Sequence, residues 1–355
     1  MPEKNHYALI LAGGIGSRFW PESTPEVPKQ FLNLTDDNSS LLQQTYTRIT
    51  AEVLPSNIYI LTAEKYKHQI LSQLSSIEPE QIICEPVQRN TAPCNLVGAL
   101  KIEALNPDAK VLVAPSDHLI RDIDAFAKDL RQAFEEADEN RLITFGIPPT
   151  HPATGYGYIA AQENSLFSPV ASFTEKPSKE VAEEYLQAGN YFWNAGIFVW
   201  SVTAIIKAFD IFEPKMKALL NANPSVWNTD DETRFLSEQF PQCQDISIDY
   251  AILERSKTVH VIAASFDWND LGSWSALYQE TDKDTSGNAV IGGQLVTEDA
   301  FGNLVKTSQG KKVLLVGLED YVIVENQSVL MVVPKTQDQD IKRLAALMQN
   351  TNPKD

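Results

Sequence analysis

The chain has 355 residues, 43% hydrophobic and 21% charged, enough for two domains of roughly 150 residues and too apolar for a disordered polymer. Twenty prolines and 16 glycines lie near ordinary usage, which excludes collagen-like and low-complexity chains. The formal net charge of −18 repels DNA, RNA and acidic lipid, so no nucleic acid and no membrane is expected as partner, and a polyphosphate ligand needs locally placed cations.

The opening MPEKNHYALILAGG lacks the basic and cleavage regions of a secretory leader. No apolar run approaches the roughly 20 residues of a membrane span, so a cytoplasmic location is expected. Cys84, Cys94 and Cys243 are odd in number, widely spaced and without CxxC, which suggests core thiols rather than a disulfide framework or zinc site.

Tyr7 to Ala12 reads as a buried strand that runs into Gly13, Gly14 and Gly16. Short apolar runs at Asn57 to Leu61, Gln81 to Cys84, Lys110 to Val113 and Leu142 to Phe145 predict further strands. Phe126, Leu130, Ala133, Phe134 and Ala137 follow helical spacing and predict a helix over Ile123 to Ala137, capped by Asp122 or Asp124. Strands alternating with helices imply an α/β fold with a mostly parallel sheet and ligand loops at the strands' carboxyl ends.

After Gly146 the pattern changes. Tyr156 to Ala161, Val170 to Phe173, Gly196 to Trp200 and Val259 to Ala264 read as strands, and Glu180 to Ala188, Thr203 to Leu220 and Asp231 to Gln239 as helices. A boundary is expected near Asp282 to Gly287. Beyond it, Ala289 to Val296, Asn303 to Thr307, Lys312 to Val316, Tyr321 to Val324 and Val329 to Val333 predict a small all-β module. Asp338 to Met348 closes the reading as a helix with an apolar face, either docked on its own domain or serving a homodimer contact.

Seven polar segments could carry chemistry. The Ala12-Gly13-Gly14-Ile15-Gly16-Ser17-Arg18 run brings backbone amides close to a phosphate chain, and Arg18 and Lys29 can neutralise its oxygens; the alternative is a tight turn beside two surface cations. Position 19 is Phe, which breaks GxGxxG, and no Walker loop occurs. Pro115-Ser116-Asp117-His118 sets Asp117 at a strand end, and Asp267 to Trp274 offers Asp270; two such carboxylates suffice for magnesium, or each is a cap or turn residue. Glu175-Lys176-Pro177 offers a cation for a sugar phosphate, or a solvated lysine. Gly155-Tyr156-Gly157-Tyr158 shapes a polar surface or a turn. Asn194, among Tyr191-Phe192-Trp193, suits sugar hydroxyls. Glu85 to Pro93 is unusually polar: Glu85 can accept from N1 and the amino group of guanine, while Asn90 and Thr91 fix the loop or cap a helix.

Together these motifs resemble the sugar-nucleotidyltransferase family over nearly the whole chain, and its guanylyl branch in Arg89-Asn90-Thr91-Ala92-Pro93. The resemblance implies a Rossmann-like catalytic domain with a mixed, mostly parallel sheet over 1–284, with a nucleotide part to about 146 and a sugar-phosphate part after it, and a left-handed β-helix-like module with the terminal helix over 285–355. It implies transfer from GTP to α-D-mannose 1-phosphate, giving GDP-mannose and diphosphate, by in-line attack. Arg18 and Lys29 would handle the triphosphate, Asp117 and Asp270 would coordinate Mg2+, and Lys176 would hold the attacking phosphate. Ala12, Gly13, Gly14, Gly16, Ser17, Glu85, Asn90, Thr91, Ser116, Gly157, Glu175, Asn194 and Asp249, the last within Ser247-Ile248-Asp249-Tyr250, would complete the binding surfaces. Cys94, Asn95 and Ala195 depart from the family's usual residues. Some relatives continue into an isomerase domain, which is not expected here. Competing readings are a transferase for another hexose 1-phosphate, an inactive GDP-mannose-binding regulatory subunit, and a structural scaffold.

Overall fold

The computed structural model describes residues 3–35, 38–163 and 165–349. Contacts divide the chain into two compact units, both discontinuous: one of 1–13, 46–116 and 120–268, the other of 14–45, 117–119 and 269–355. The division expected from the sequence is a contiguous one at 284/285. Among the described residues no helix is long and apolar enough to cross a membrane.

The first unit is built on one sheet of nine strands: β1 (His6–Leu11), β2 (Ile58–Ala63), β3 (Ile82–Glu85), β4 (Lys110–Pro115), β5 (Leu142–Ile147), β6 (Tyr158–Ala161), β7 (Phe167–Thr174), β8 (Tyr191–Ser201) and β9 (Val259–Ala263). Their spatial order is 3-2-1-4-8-5-9-7-6. The alternation of side chains along a strand sends Tyr7, Leu9, Val111 and Val113 into one buried core with Leu96, Val97 and Leu100 of the Thr91–Glu103 helix and with Ile205 and Phe209 of the Val202–Phe212 helix.

Only part of this sheet is parallel. Strands β1 to β4 pair in parallel, as do β5 and β9. The long β8 enters antiparallel between β4 and β5, and β6 and β7 are antiparallel to their neighbours, so the sheet is mixed, as expected, though not mostly parallel. The expected 196–200 strand starts five residues earlier, at Tyr191, because its polar Asn194 stays within the ladder. The expected helix over 203–220 breaks after Phe212, where Pro214 cannot continue the backbone hydrogen bonding and starts a second helix, Pro214–Leu220.

The parallel register aligns the strand ends. Leu11 pairs with Leu61 and with Pro115, and Ala63 with Glu85. Gly13, Ser116 and Glu85 therefore leave the same edge of the sheet, where open α/β sheets present their ligand loops.

The second unit holds β10 (Ala289–Ile291), β11 (Gln294–Glu298), β12 (Leu304–Lys306), β13 (Lys312–Val316), β14 (Tyr321–Glu325) and β15 (Leu330–Pro334). Strands β10, β12 and β14 stack in parallel, and β11 pairs in parallel with β13, while β15 closes the stack antiparallel. Gly292, at φ +83°, and Gly293 split the expected 289–296 run into two strands. Buried Asn288 and Asn303 hydrogen-bond to each other at 2.9 Å, stitching successive corners. The module is not separate from the glycine-rich segment. Phe19, Leu32, Leu34 and Leu41 share one core with Leu304, Val322, Val324 and Ile341, and Asn326 Nδ2 donates to the Pro21 carbonyl at 2.6 Å. The Ile341–Gln349 helix docks on the Ser17–Phe19 turn of its own unit.

Candidate active site

In the second unit Gly16, Ser17, Arg18, Lys29, Asp117 and Asp270 line one polar pocket. Gly16 sits at φ +69°, and a Cβ there would fall 2.3 Å from Lys29 Cβ; glycine is required by both backbone and space. The Lys29 amide donates to the Ile15 carbonyl at 3.1 Å, which holds the glycine loop against the lysine. Lys29 is 4% exposed. Its ammonium donates to Asp117 Oδ2 at 3.0 Å and to the main-chain carbonyl of Asp270 at 2.6 Å.

Burial works against a charged Asp117, but Lys29 and then His118 outweigh it and hold the carboxyl below its ordinary value. Asp270 turns its carboxylate back on its own loop, where Oδ1 accepts from the Gly272 amide at 3.0 Å. Leu271, at φ +46° and fully buried, anchors that loop. Among the described residues no three ligand-type side chains are grouped for a metal. Two carboxylates in one pocket nonetheless fit magnesium, which takes one or two carboxylates and completes its shell with water and phosphate oxygens. Gly14 is exposed with open space about it, and Arg18 is exposed at the rim.

Two residues of this pocket had no signal in the sequence. Gln339 and Lys342 line it from the C-terminal segment, far from any motif.

The first unit gathers the remaining candidates in two groups. Glu85, at the end of β3, is pushed up by burial and partly offset by the Cys94 thiol, which donates to Oε1 at 3.0 Å. A Cβ on Gly13 would lie 3.7 Å from the same oxygen. Gln88 donates to the Gly13 carbonyl and Thr62 to that of Ala12. Asn90 caps the Thr91–Glu103 helix, accepting from the Thr91 amide at 2.9 Å. Thr91 in turn accepts from the Ile248 amide at 2.9 Å, and Asn95 donates to the Thr91 carbonyl. Thr91 and Ala92, whose amide donates to the Ile246 carbonyl at 3.1 Å, thus pin the 246–249 loop. Ser116 is buried, its amide on the Leu11 carbonyl.

The second group centres on Asn194. At the β5–β8 register shift its Oδ1 accepts from Thr144 Oγ1, and its Nδ2 donates to Asp249 Oδ1 at 3.0 Å; such bulges re-aim side chains. Asp249 opens a π-turn, Asp249–Leu253, and its carboxyl is pushed up to about 6 by burial and then by the charge of Glu175. Glu175 pairs with Lys176 at 2.7 Å, which raises the lysine. Lys176 is held at φ +47°. A Cβ on Gly157 would stand 2.5 Å from Glu175 Oε2, so this glycine makes room for the carboxylate. Tyr156 stands edge-on to both Trp193 and Trp268.

The family model described as Nucleotidyl transferase matches residues 7–287. The chain is 37% identical over 354 residues to the mannose-1-phosphate guanylyltransferase of Salmonella montevideo, covering 97% of this chain and 74% of that one. It is 36% identical to the alginate biosynthesis protein AlgA of Pseudomonas aeruginosa, with 95% and 70% covered. Among solved structures it is similar to one titled mannose-1-phosphate geranyltransferase from Thermus thermophilus, with TM-score 0.88 and 30% identity over 97% of this chain and 99% of that one. A mannose-6-phosphate isomerase from Helicobacter pylori shares the fold at TM-score 0.61 and 24% identity, over 74% and 99% of the two chains.

Proposed function

Because the chain belongs to the nucleotidyl transferase family, we propose that it is a mannose-1-phosphate guanylyltransferase, converting GTP and α-D-mannose 1-phosphate to GDP-mannose and diphosphate. The observation that carries the reading is the Lys29 ammonium, which ties the glycine loop, Asp117 and the Asp270 loop into one pocket although they are far apart in sequence. The name of the Salmonella relative supports guanylyl transfer to a mannose phosphate. The parallel stacking of β10, β12 and β14 supports the β-helix-like reading of the module.

In this reading Arg18 and Lys29 counter the charge that accumulates on the departing diphosphate. The glycine loop lets backbone amides approach the phosphates. Asp117 and Asp270 would hold magnesium, which supplies charge neutralisation at the transferring phosphate when bound. Glu85 accepts from the guanine edge, and Lys176 orients the attacking phosphate oxygen. Asn194 and Asp249 order the sugar-recognition side. Attack is in line, with no covalent enzyme intermediate.

The test is diphosphate release by purified protein with magnesium, GTP and mannose 1-phosphate, against ATP, dTTP and glucose 1-phosphate in their places. Preference for GTP with mannose 1-phosphate supports the reading; equal turnover of another pair overturns its specificity, and GDP-mannose binding without turnover overturns catalysis.

A further inference from the structure

We infer that Lys342 of the C-terminal helix is a polyphosphate-contacting residue of the second unit's pocket. Lys342 lines that pocket together with Arg18, Lys29, Asp117 and Asp270, yet it lies beyond the 7–287 stretch that matches the family model. This rests on the transferase reading and deepens it.

Charge makes the case. Two of the three Lys29 ammonium donors are engaged by Asp117 and the Asp270 carbonyl. Without Lys342, the lining residues Arg18 and Lys29 only balance the two carboxylates. A nucleoside triphosphate entering a protein of net charge −18 then meets no surplus of positive charge from lysine or arginine. Lys342 supplies that surplus.

Placement makes it a fixed feature. The preceding residue, Ile341, is fully buried in the core that also holds Phe19, Leu271 and Trp274. Those three residues flank the glycine loop and the Asp270 loop. Asp338, 5% exposed, accepts from the Ser275 amide at 3.0 Å, tying the turn before the helix to the segment after Asp270. The Lys342 side chain itself is exposed, so its replacement leaves the core intact.

The experiment compares K342Q and K342R with R343Q, which removes the same charge from the neighbouring exposed residue paired with Asp340. K342Q is expected to raise KM for GTP about tenfold with KM for mannose 1-phosphate unchanged; in reverse, KM for diphosphate rises and that for GDP-mannose does not. K342R restores most of the loss, and R343Q behaves as wild type. Calorimetric titration with inorganic diphosphate, which needs neither sugar nor base, should show the same weakening in K342Q. Unchanged diphosphate binding in K342Q, or equal loss in R343Q, overturns the inference. Wild type that binds diphosphate but turns over no nucleotide with mannose 1-phosphate overturns the transferase reading alone.

Discussion

Lys29 and Asp117, 88 positions apart, meet as an ion pair at 3.0 Å in which the lysine is the buried partner, 5% exposed against 34% for the aspartate side chain. The pair makes Asp117's charge depend on Lys29. K29Q leaves burial opposed chiefly by His118, so the Asp117 carboxyl should rise. The sign follows: a depressed carboxyl adds stability above its ordinary value of 3.8 and loses it as pH falls through the lower folded value. K29Q should resist urea less than wild type near neutral pH, the gap should narrow as pH falls through the Asp117 titration, and its kcat should fall about a hundredfold. A stability gap that stays constant through the acid limb would disprove the coupling.

Gly16→Ala is expected to destabilise by about 1–2 kcal/mol from its left-handed backbone alone, and by more because the new methyl group meets Lys29 Cβ. Turnover should drop along with stability, since the displaced group is the lysine itself. Chemical denaturation and steady-state rates on the same preparation measure both; a stable variant of normal kcat would show that the loop is not fixed as described.

Asp249 titrates in the other direction. Its folded carboxyl, at about 6, holds its proton more tightly than the unfolded one at 3.8, so this group's contribution to stability falls as pH rises from about 4 to 6 and stays low above. Asp249→Asn lacks the penalty: relative to wild type it should gain stability across that window, while KM for mannose 1-phosphate rises. Parallel stability curves for the two proteins would refute the assignment.

Glu85→Gln should flatten base discrimination. A carboxylate accepts from both N1 and the guanine amino group, whereas an amide offers one acceptor and a competing donor. The ratio of kcat/KM for GTP over ITP, which lacks the amino group, should exceed about tenfold in wild type and approach one in E85Q. An unaltered ratio would remove Glu85 from base reading.

How much of this was legible in the sequence differs from residue to residue. Gly16 and Lys29 belong to one short motif, where spacing and chemistry speak together, and the end of β4 marks Asp117 by its apolar run. The direction of β8 could not be read, because an apolar strand carries no record of whether its partner runs with it or against it. In the sequence Asn194 is only a polar residue among aromatics; that it braces Asp249 depends on a register shift that pairing alone creates. Glu85 stood out, but the thiol of Cys94 that donates to it looked like a mere departure. Lys342 carried no signal, since one lysine on a surface helix is common and only tertiary packing brings it beside Arg18.

The shared core of Phe19 and Leu34 with Leu304, Val322 and Ile341 makes the C-terminal strands scaffolding for the glycine loop rather than a dispensable appendage. A gene trimmed after Gly287, where the family model ends, would encode the recognisable motifs yet strip their underside, and its product should be recovered as insoluble material instead of a minimal catalyst.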